Sequence, residues 1–287
     1  MRFVFMNVPH ELEIDPKKAI DYGISWVRDY FSKSGFKTAV IGISGGSDSA
    51  FTAYITSKAI GKSNVVGVML PEDRVTPEID TIHAKELIKS LGINSLEINL
   101  TDIVRVMSKL DPELLKIKNR IAYANVKARL RMVLLYKEAN KRNALVVGTD
   151  DRSEHILGYY TKYGDGGVDI NVPEYLYKTQ LRGILEYIAL KEKTKVMKEI
   201  ADKKPSPQLW EGQTAEGELD ADYQTMDRIF YYLKDYKTKL SAQQVAEKLH
   251  VDKKLVFKLI SMEEKNKHKD NAPAAPPINY SFNLYGA

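Results

Sequence analysis

The chain has 287 residues, a length suited to one large domain or two small ones. Hydrophobic residues make up 44% and charged residues 28%, which excludes wholesale disorder and collagen-like repeats. The net charge of +5 favours phosphate-bearing ligands but is too weak to imply nucleic acid by itself.

Cysteine is absent. That removes disulfides, thiolate zinc sites and any cysteine nucleophile, and it predicts a reducing, cytoplasmic setting. Near the start only residues 3–6 are continuously apolar, and Glu11, Glu13 and Asp15 follow, which does not make a signal peptide. Eighteen apolar residues never run together, so no membrane span is expected.

Along the chain two periods alternate. Residues 16–34 place Ile20, Ile24, Val27 and Phe31 on one helical face, with Pro16 suited to the first turn. Residues 38–43 form a short β-branched, apolar run, as expected of a buried parallel strand. A Gly/Ser loop at 44–49 precedes a helix from about residue 50 to 60. The pattern continues with strand 64–70, helix 77–91, strand 95–100, helix 125–142 and strand 144–147. This alternation predicts a doubly wound, Rossmann-like parallel sheet flanked by helices, with ligands at the strand C-terminal edge.

Beyond Gly148 the pattern changes. Residues 149–173 read as a polar loop containing Gly158, Gly164, Gly166 and Gly167. Loops of that length without structure of their own are usually functional or disordered. Helices are expected at 178–190 and 194–203, an irregular stretch at 205–222, and C-terminal helices at 222–234, 241–249 and 253–266. The whole reads as one domain with its core at about 16–204, C-terminal loop and helices at about 205–269, and a proline-bearing tail over 270–287.

The sharpest feature is Ser44-Gly45-Gly46-Ser47-Asp48-Ser49 between strand and helix. Glycines let backbone approach a ligand, and the following helix directs free N–H groups and its positive end at the loop, an arrangement suited to phosphate. Asp48 would repel phosphate unless a divalent cation, usually magnesium, bridges the two. No Lys-Ser/Thr pair closes the loop as in a Walker sequence, and the glycine spacing is not that of a dinucleotide fingerprint. On spacing alone, a tight capped turn before a helix remains open.

This loop resembles the pyrophosphate loop of the ATP pyrophosphatases, among them GMP, asparagine, argininosuccinate and NAD synthetases. Four later segments narrow the resemblance: residues 125–132 (NVKARLRM), 148–154 (GTDDRSE), 158–169 (GYYTKYGDGGVD) and 205–213 (PSPQLWEGQ). In this order they resemble ammonia-dependent NAD synthetases, over about residues 16–269. The resemblance implies adenylation of the nicotinate carboxylate of deamido-NAD by ATP, release of pyrophosphate, and displacement of AMP by ammonia. It places magnesium on Asp48 and Glu154, and ATP on Gly42, Ile43, Ser44, Gly45, Gly46, Ser47, Asp48, Ser49, Thr149, Lys178 and Ser206. Deamido-NAD falls to Arg129, Lys162, Asp169, His268 and Lys269. Asp48, Glu154 and Lys178 carry the catalytic role through electrostatics and positioning rather than covalent chemistry. A homodimer is implied, with the dinucleotide near its interface. Lacking a cysteine for a glutaminase, and lacking length for that domain, the chain is expected to use free ammonia or ammonia from another subunit.

Some residues depart from the family pattern: Ala215 where aspartate is usual, Asp220 where glycine is usual, and Asp270 where a cation is usual. Without the motif, Arg129 and Arg131 could be solvated helix residues and Glu154 a local cap. Tyr159, Tyr160 and Tyr163 suit either stacking on a base or packing the loop. Residues 241–260 mimic a helix-turn-helix, with lysines at 248, 253, 254 and 258. The sparse Arg, Asn and Gln at the start of its second helix speak against base reading, so neither nucleic acid nor membrane is an expected partner.

Overall fold

The computed structural model describes residues 8–204, 210 and 215–270. Its centre is a five-stranded, wholly parallel sheet in the order β3-β2-β1-β4-β5: β1 (Thr38–Gly42), β2 (Val65–Met69), β3 (Asn94–Glu97), β4 (Ala144–Gly148) and β5 (Ile170–Asn171). The four predicted strands are present, and a two-residue fifth strand is added at the edge. Side chains of consecutive strand residues point to opposite faces. Ala39, Ile41, Leu145 and Val147 therefore enter one core with helices α1 (Pro16–Ser34), α2 (Ser47–Ile60), α7 (Lys178–Glu192) and α8 (Lys195–Asp202). Val40, Val66, Val68 and Val146 enter another beneath α5 (Arg120–Arg142). Burial on both faces is why these strands read as unbroken apolar runs.

Several boundaries differ from the sequence pattern. Helix α2 begins at Ser47 rather than near residue 50, so Asp48 and Ser49 lie in its first turn. The stretch predicted as strand 95–100 stops pairing at Glu97, and the chain enters α4 (Thr101–Leu110), to which the sequence pattern gave no helix. The polar loop at 149–173 contains α6 (Arg152–Leu157), started by a capping box in which Asp151 and Glu154 each accept from the other's backbone N–H.

The C-terminal helices form their own core. Helix α9 (Ala215–Leu219), α10 (Tyr223–Phe230), α11 (Ala242–Leu249) and α12 (Lys253–Asn266) bury Leu219, Tyr223, Met226, Phe230, Val245, Leu249 and Leu259 with Leu157 of α6. Helices α11 and α12 thus pack as an amphipathic pair, and the helix-turn-helix likeness has a packing explanation. The predicted helix 222–234 is α10 continued by one π-turn, Tyr231–Asp235, whose Asp235 takes Nε and Nη2 of Arg152 at 2.8 and 2.6 Å. Asp220 has φ 57°, in the left-handed region where glycine is at ease and aspartate tolerated, and its carboxylate accepts from Lys258 Nζ at 2.7 Å. This accounts for a glycine being usual there. No helix among the described residues is long and apolar enough to cross a membrane.

Candidate functional site

The strand C-termini open onto a cavity of about 290 Å³. Gly42, Ile43, Ser44, Gly46, Ser47, Asp48, Ser49, Thr149, Glu154 and Lys178 all line it, so most of the sequence-derived ATP residues meet in one place. Gly45 has φ 78°, and a Cβ there would lie 2.2 Å from the Asp80 carbonyl oxygen, so only glycine fits this close turn. The loop is braced from within: Ser49 Oγ donates to Gly46 O at 3.1 Å and accepts from Ser44 N–H at 3.3 Å. Ser44 and Ser49 therefore shape the cradle as well as facing it. From outside, Lys203 donates to Gly45 O at 2.7 Å and pairs with buried Asp80. Sequence reasoning missed this clamp, because its partners lie more than a hundred residues away.

The electrostatic centre is Lys178, the first residue of α7 and 1% exposed. Its ammonium lies 2.8 Å from Asp48 Oδ1, 2.8 Å from Asp151 Oδ2 and 2.9 Å from Glu154 Oε1. Burial opposes its charge, but Asp151, Asp48 and Glu154 outweigh burial and hold it well above the ordinary lysine range. One ammonium does not balance three carboxylates. Burial and the surplus negative charge of Asp151, Asp48 and Asp150 push the Glu154 carboxyl well up, against the pull of Lys178. Asp150, buried beside them, is likewise raised by burial, Asp165, Asp151 and Asp48.

Asp48, Asp151 and Glu154 can each offer one oxygen within 4.8 Å of the others. An all-oxygen set with negative charge to spare fits a hard divalent cation such as magnesium. Asp151 was absent from the sequence-derived set. Its local signal was the Asp-x-x-Glu capping pattern, which announces a helix start but not proximity to Asp48.

A second carboxylate ties the site to the C-terminal core. Asp227 of α10 is wholly buried and accepts from Ser153 Oγ at 2.5 Å, Thr179 N–H at 2.9 Å and Thr179 Oγ1 at 2.8 Å. Ser153 precedes Glu154 and also accepts from the Lys178 N–H at 3.0 Å. Burial pushes the Asp227 carboxyl up to about 7, although the Ser153 and Thr179 bonds counter it. Between an unfolded value near 3.8 and about 7, the folded protein holds a proton that the unfolded chain has released. Stability contributed here therefore falls as pH rises through that window. In urea titrations, the stability of wild type relative to Asp227→Asn is expected to decline between about pH 4 and 7 and then level off. A gap independent of pH would show that this carboxyl does not titrate there.

The five residues assigned to deamido-NAD do not line the cavity; four of them cluster beside it. Arg129 Nε donates to Lys162 O at 3.3 Å, Lys162 Nζ donates to His268 O, and Lys269 Nζ donates to Gly158 O at 2.6 Å and Tyr160 O at 2.9 Å. Asp169 is placed apart. It accepts from Val146 N–H at 2.7 Å and from Tyr136 OH at 3.0 Å, a bond set that orders the entry to β5. Ser206 lies outside the described residues. The tyrosines mostly pin the loop: Tyr159 OH donates to Glu218, Tyr160 OH donates to Asp270 at 2.7 Å, and Tyr163 stays exposed. His155 pairs with Glu174 at 3.3 Å and stacks on Tyr160, away from any metal role.

The family model described as NAD synthase matches residues 19–273. The chain is 40% identical over 273 residues to the NH(3)-dependent NAD(+) synthetase of Staphylothermus marinus, covering 95% of this chain and 94% of that one. The chain belongs to the NAD synthase family. As a member it is a ligase that forms a carbon–nitrogen bond. Among solved structures, the NAD synthase chain described here superposes on the NMN synthetase of Francisella tularensis with a TM-score of 0.77. The two are 30% identical, and the match covers 93% of this chain and all of that one. It shares the fold of the NH3-dependent NAD synthetase of Campylobacter jejuni (TM-score 0.71, 24% identity, 92% and 100% covered).

Proposed function

We propose that the chain converts deamido-NAD, ATP and ammonia into NAD, AMP and pyrophosphate. The observation that carries this reading is the convergence of the glycine loop, Lys178 and the Asp48–Asp151–Glu154 cluster on one cavity, in a chain of this family. A carboxylate oxygen of the nicotinate attacks the α-phosphorus, and the bond to the β-phosphate oxygen breaks. Ammonia nitrogen then attacks the acyl carbon, AMP leaves with the carboxylate oxygen, and the surplus proton passes to solvent.

The residues' tasks follow from their chemistry. Loop amides of 44–49 at the α2 N-terminus hold the leaving pyrophosphate. Lys178 offsets charge between the carboxylates and the phosphates. Asp48 and Glu154, joined by Asp151, hold magnesium, which when bound neutralises phosphate charge. Arg129, Lys162, His268 and Lys269 face the dinucleotide beside the cavity. For Asp169 a contact to the same substrate requires an oxygen already used within the fold.

The test supplies purified protein with ATP, magnesium, ammonia and deamido-NAD, and follows NAD, AMP and pyrophosphate together. One-to-one-to-one formation is expected, and glutamine in place of ammonia is expected to give no product. The likeness to an NMN synthetase supports one alternative acid, the mononucleotide acid corresponding to NMN. Preference for it over deamido-NAD in the same assay would shift the assignment to that substrate.

We infer a homodimer from the apolar face at residues 110–121. Leu110 is 76% exposed, Ile117 88% and Ile121 71%, and Ile121 shares α5 with Arg129. Exposed clusters of this kind mark interaction surfaces. Sedimentation should give twice the 32.6 kDa chain mass, and Ile117→Asp with Ile121→Asp should reduce it to one chain. A double variant that sediments like wild type would place the contact elsewhere. ATP as co-substrate fits the cytoplasm.

A further inference from the structure

On α5, Ala128, Arg131 and Leu135 fall on one face at helical spacing and line the cavity on the side of Gly164, Asp165 and Val168. Arg131 is half-buried there and makes no hydrogen bond or ion pair among the described residues. Its charge lies in the field of Glu72 and Asp165. Neither carboxylate bonds to it: Glu72 Oε1 pairs with buried Lys127 at 2.7 Å while its buried Oε2 has no hydrogen-bond partner among the described residues, and Asp165 accepts from Thr161 N–H at 2.9 Å. Of the other cations lining the cavity, Lys178 is occupied by three carboxylates and Lys203 by Gly45 O and Asp80, while Lys204 is exposed to solvent. Arg129, two residues away, is exposed and donates to Lys162 O, so the two arginines have different surroundings.

A guanidinium always carries its charge and presents five donors in a planar fork. Withdrawn from bulk water without an acceptor, it is costly until a ligand supplies one. The fork matches carboxylate and phosphate oxygens alike.

We propose that Arg131 binds an anionic oxygen of the acid substrate and thereby helps to select which acids the enzyme accepts. This rests on the deamido-NAD reading above. Residues 44–49, leading into α2, already cradle the triphosphate, so the α5 wall of the same cavity is left to the acid that must meet the α-phosphate there. Either the nicotinate carboxylate or a phosphate of the same nucleotide could supply the oxygen. A carboxylate contact weakens once adenylation turns the carboxylate into an uncharged acyl group of a mixed anhydride, so its loss would raise KM more than it lowers kcat.

The experiment titrates wild type, Arg131→Lys and Arg131→Met calorimetrically with deamido-NAD, with NAD and with a non-hydrolysable ATP analogue, and measures KM for each substrate. Arg131→Met is expected to weaken deamido-NAD about 100-fold, the size associated with removing one partner of a desolvated charge contact. Arg131→Lys keeps the charge without the fork, should recover part of the loss, and carries the test if the Met variant does not fold. Affinity for the ATP analogue should stay within about threefold. If the carboxylate is the partner, wild type prefers deamido-NAD over NAD and the variants lose that preference; if a phosphate is, both nucleotides weaken equally. Wild-type affinity for deamido-NAD in either folded variant, or an equal loss for the ATP analogue, overturns the inference while leaving the activity intact. A wild-type protein that neither binds nor amidates deamido-NAD overturns both.

Discussion

Asp48→Asn and Glu154→Gln are each expected to abolish coupled NAD and pyrophosphate formation, lowering kcat/KM by about 10³-fold or more. Each substitution keeps the side chain's shape and removes one anionic oxygen donor from a set whose donors lie within 4.8 Å of one another. The fold should persist. After either change Lys178 still contacts Asp151 and one further carboxylate, and the loop keeps its Ser44–Ser49 and Lys203 braces. Near-normal turnover in both variants, with unaltered magnesium dependence, would remove these residues from the metal site. Chelation of divalent metal should stop pyrophosphate release in wild type. Failure to do so would show that the cluster works without a cation.

Lys178→Met should remove activity and also destabilise the protein, by about 3–5 kcal/mol, because it strands buried carboxylates without their cation. The sign with pH is fixed by the direction of the shift. A lysine held well above its ordinary 10.5 contributes stability that is complete below that value and lost only at more alkaline pH. The variant lacks this contribution throughout, yet its carboxylates are freed by protonation, so its deficit should shrink as pH falls toward about 5. Adding Asp151→Asn to Lys178→Met removes one stranded charge. The double variant is expected to regain part of the lost unfolding free energy in urea titrations but none of the turnover. Recovery of turnover would show that Lys178 serves only to neutralise Asp151. No stability loss in the single variant would show that the ion cluster does not form in solution.

The added roles of Asp151 and Asp227 alter how this site is understood. Asp151 caps α6, thereby fixing where the helix that presents Glu154 begins, and also touches the Lys178 ammonium. Asp227 reaches from the C-terminal core to Ser153 and Thr179, the neighbours of Glu154 and Lys178. Helix α10 therefore supports the geometry of the cavity, and changes in the C-terminal core will be felt as changes in rate.

The sequence alone was sufficient for β1, β2 and β4, the glycine loop and helix 253–266, and it located β3 while extending it three residues too far. Their signals are local: apolar runs that exclude helix by length, glycines that permit φ 78° at Gly45, and spacing that puts Val256 and Leu259 on one face. It did not reveal β5, because two residues carry no period, and it placed the start of α2 three residues late, because Ser and Asp have weak helix propensity away from caps. Tertiary structure alone decided which charges meet. Lys178 and Asp48 stand 130 residues apart in the chain, and Thr179 and Asp227 stand 48 apart. Such pairs arise when α2, α6, α7 and α10 dock at the sheet edge, and the free energy that docks them comes from burying apolar faces rather than from the charges. A polar residue's own neighbours in sequence hold no record of that docking. Asp151 could be read as a helix cap and Arg131 as one more helix arginine, until packing placed Asp151 behind the cavity against Lys178 and Arg131 at its wall.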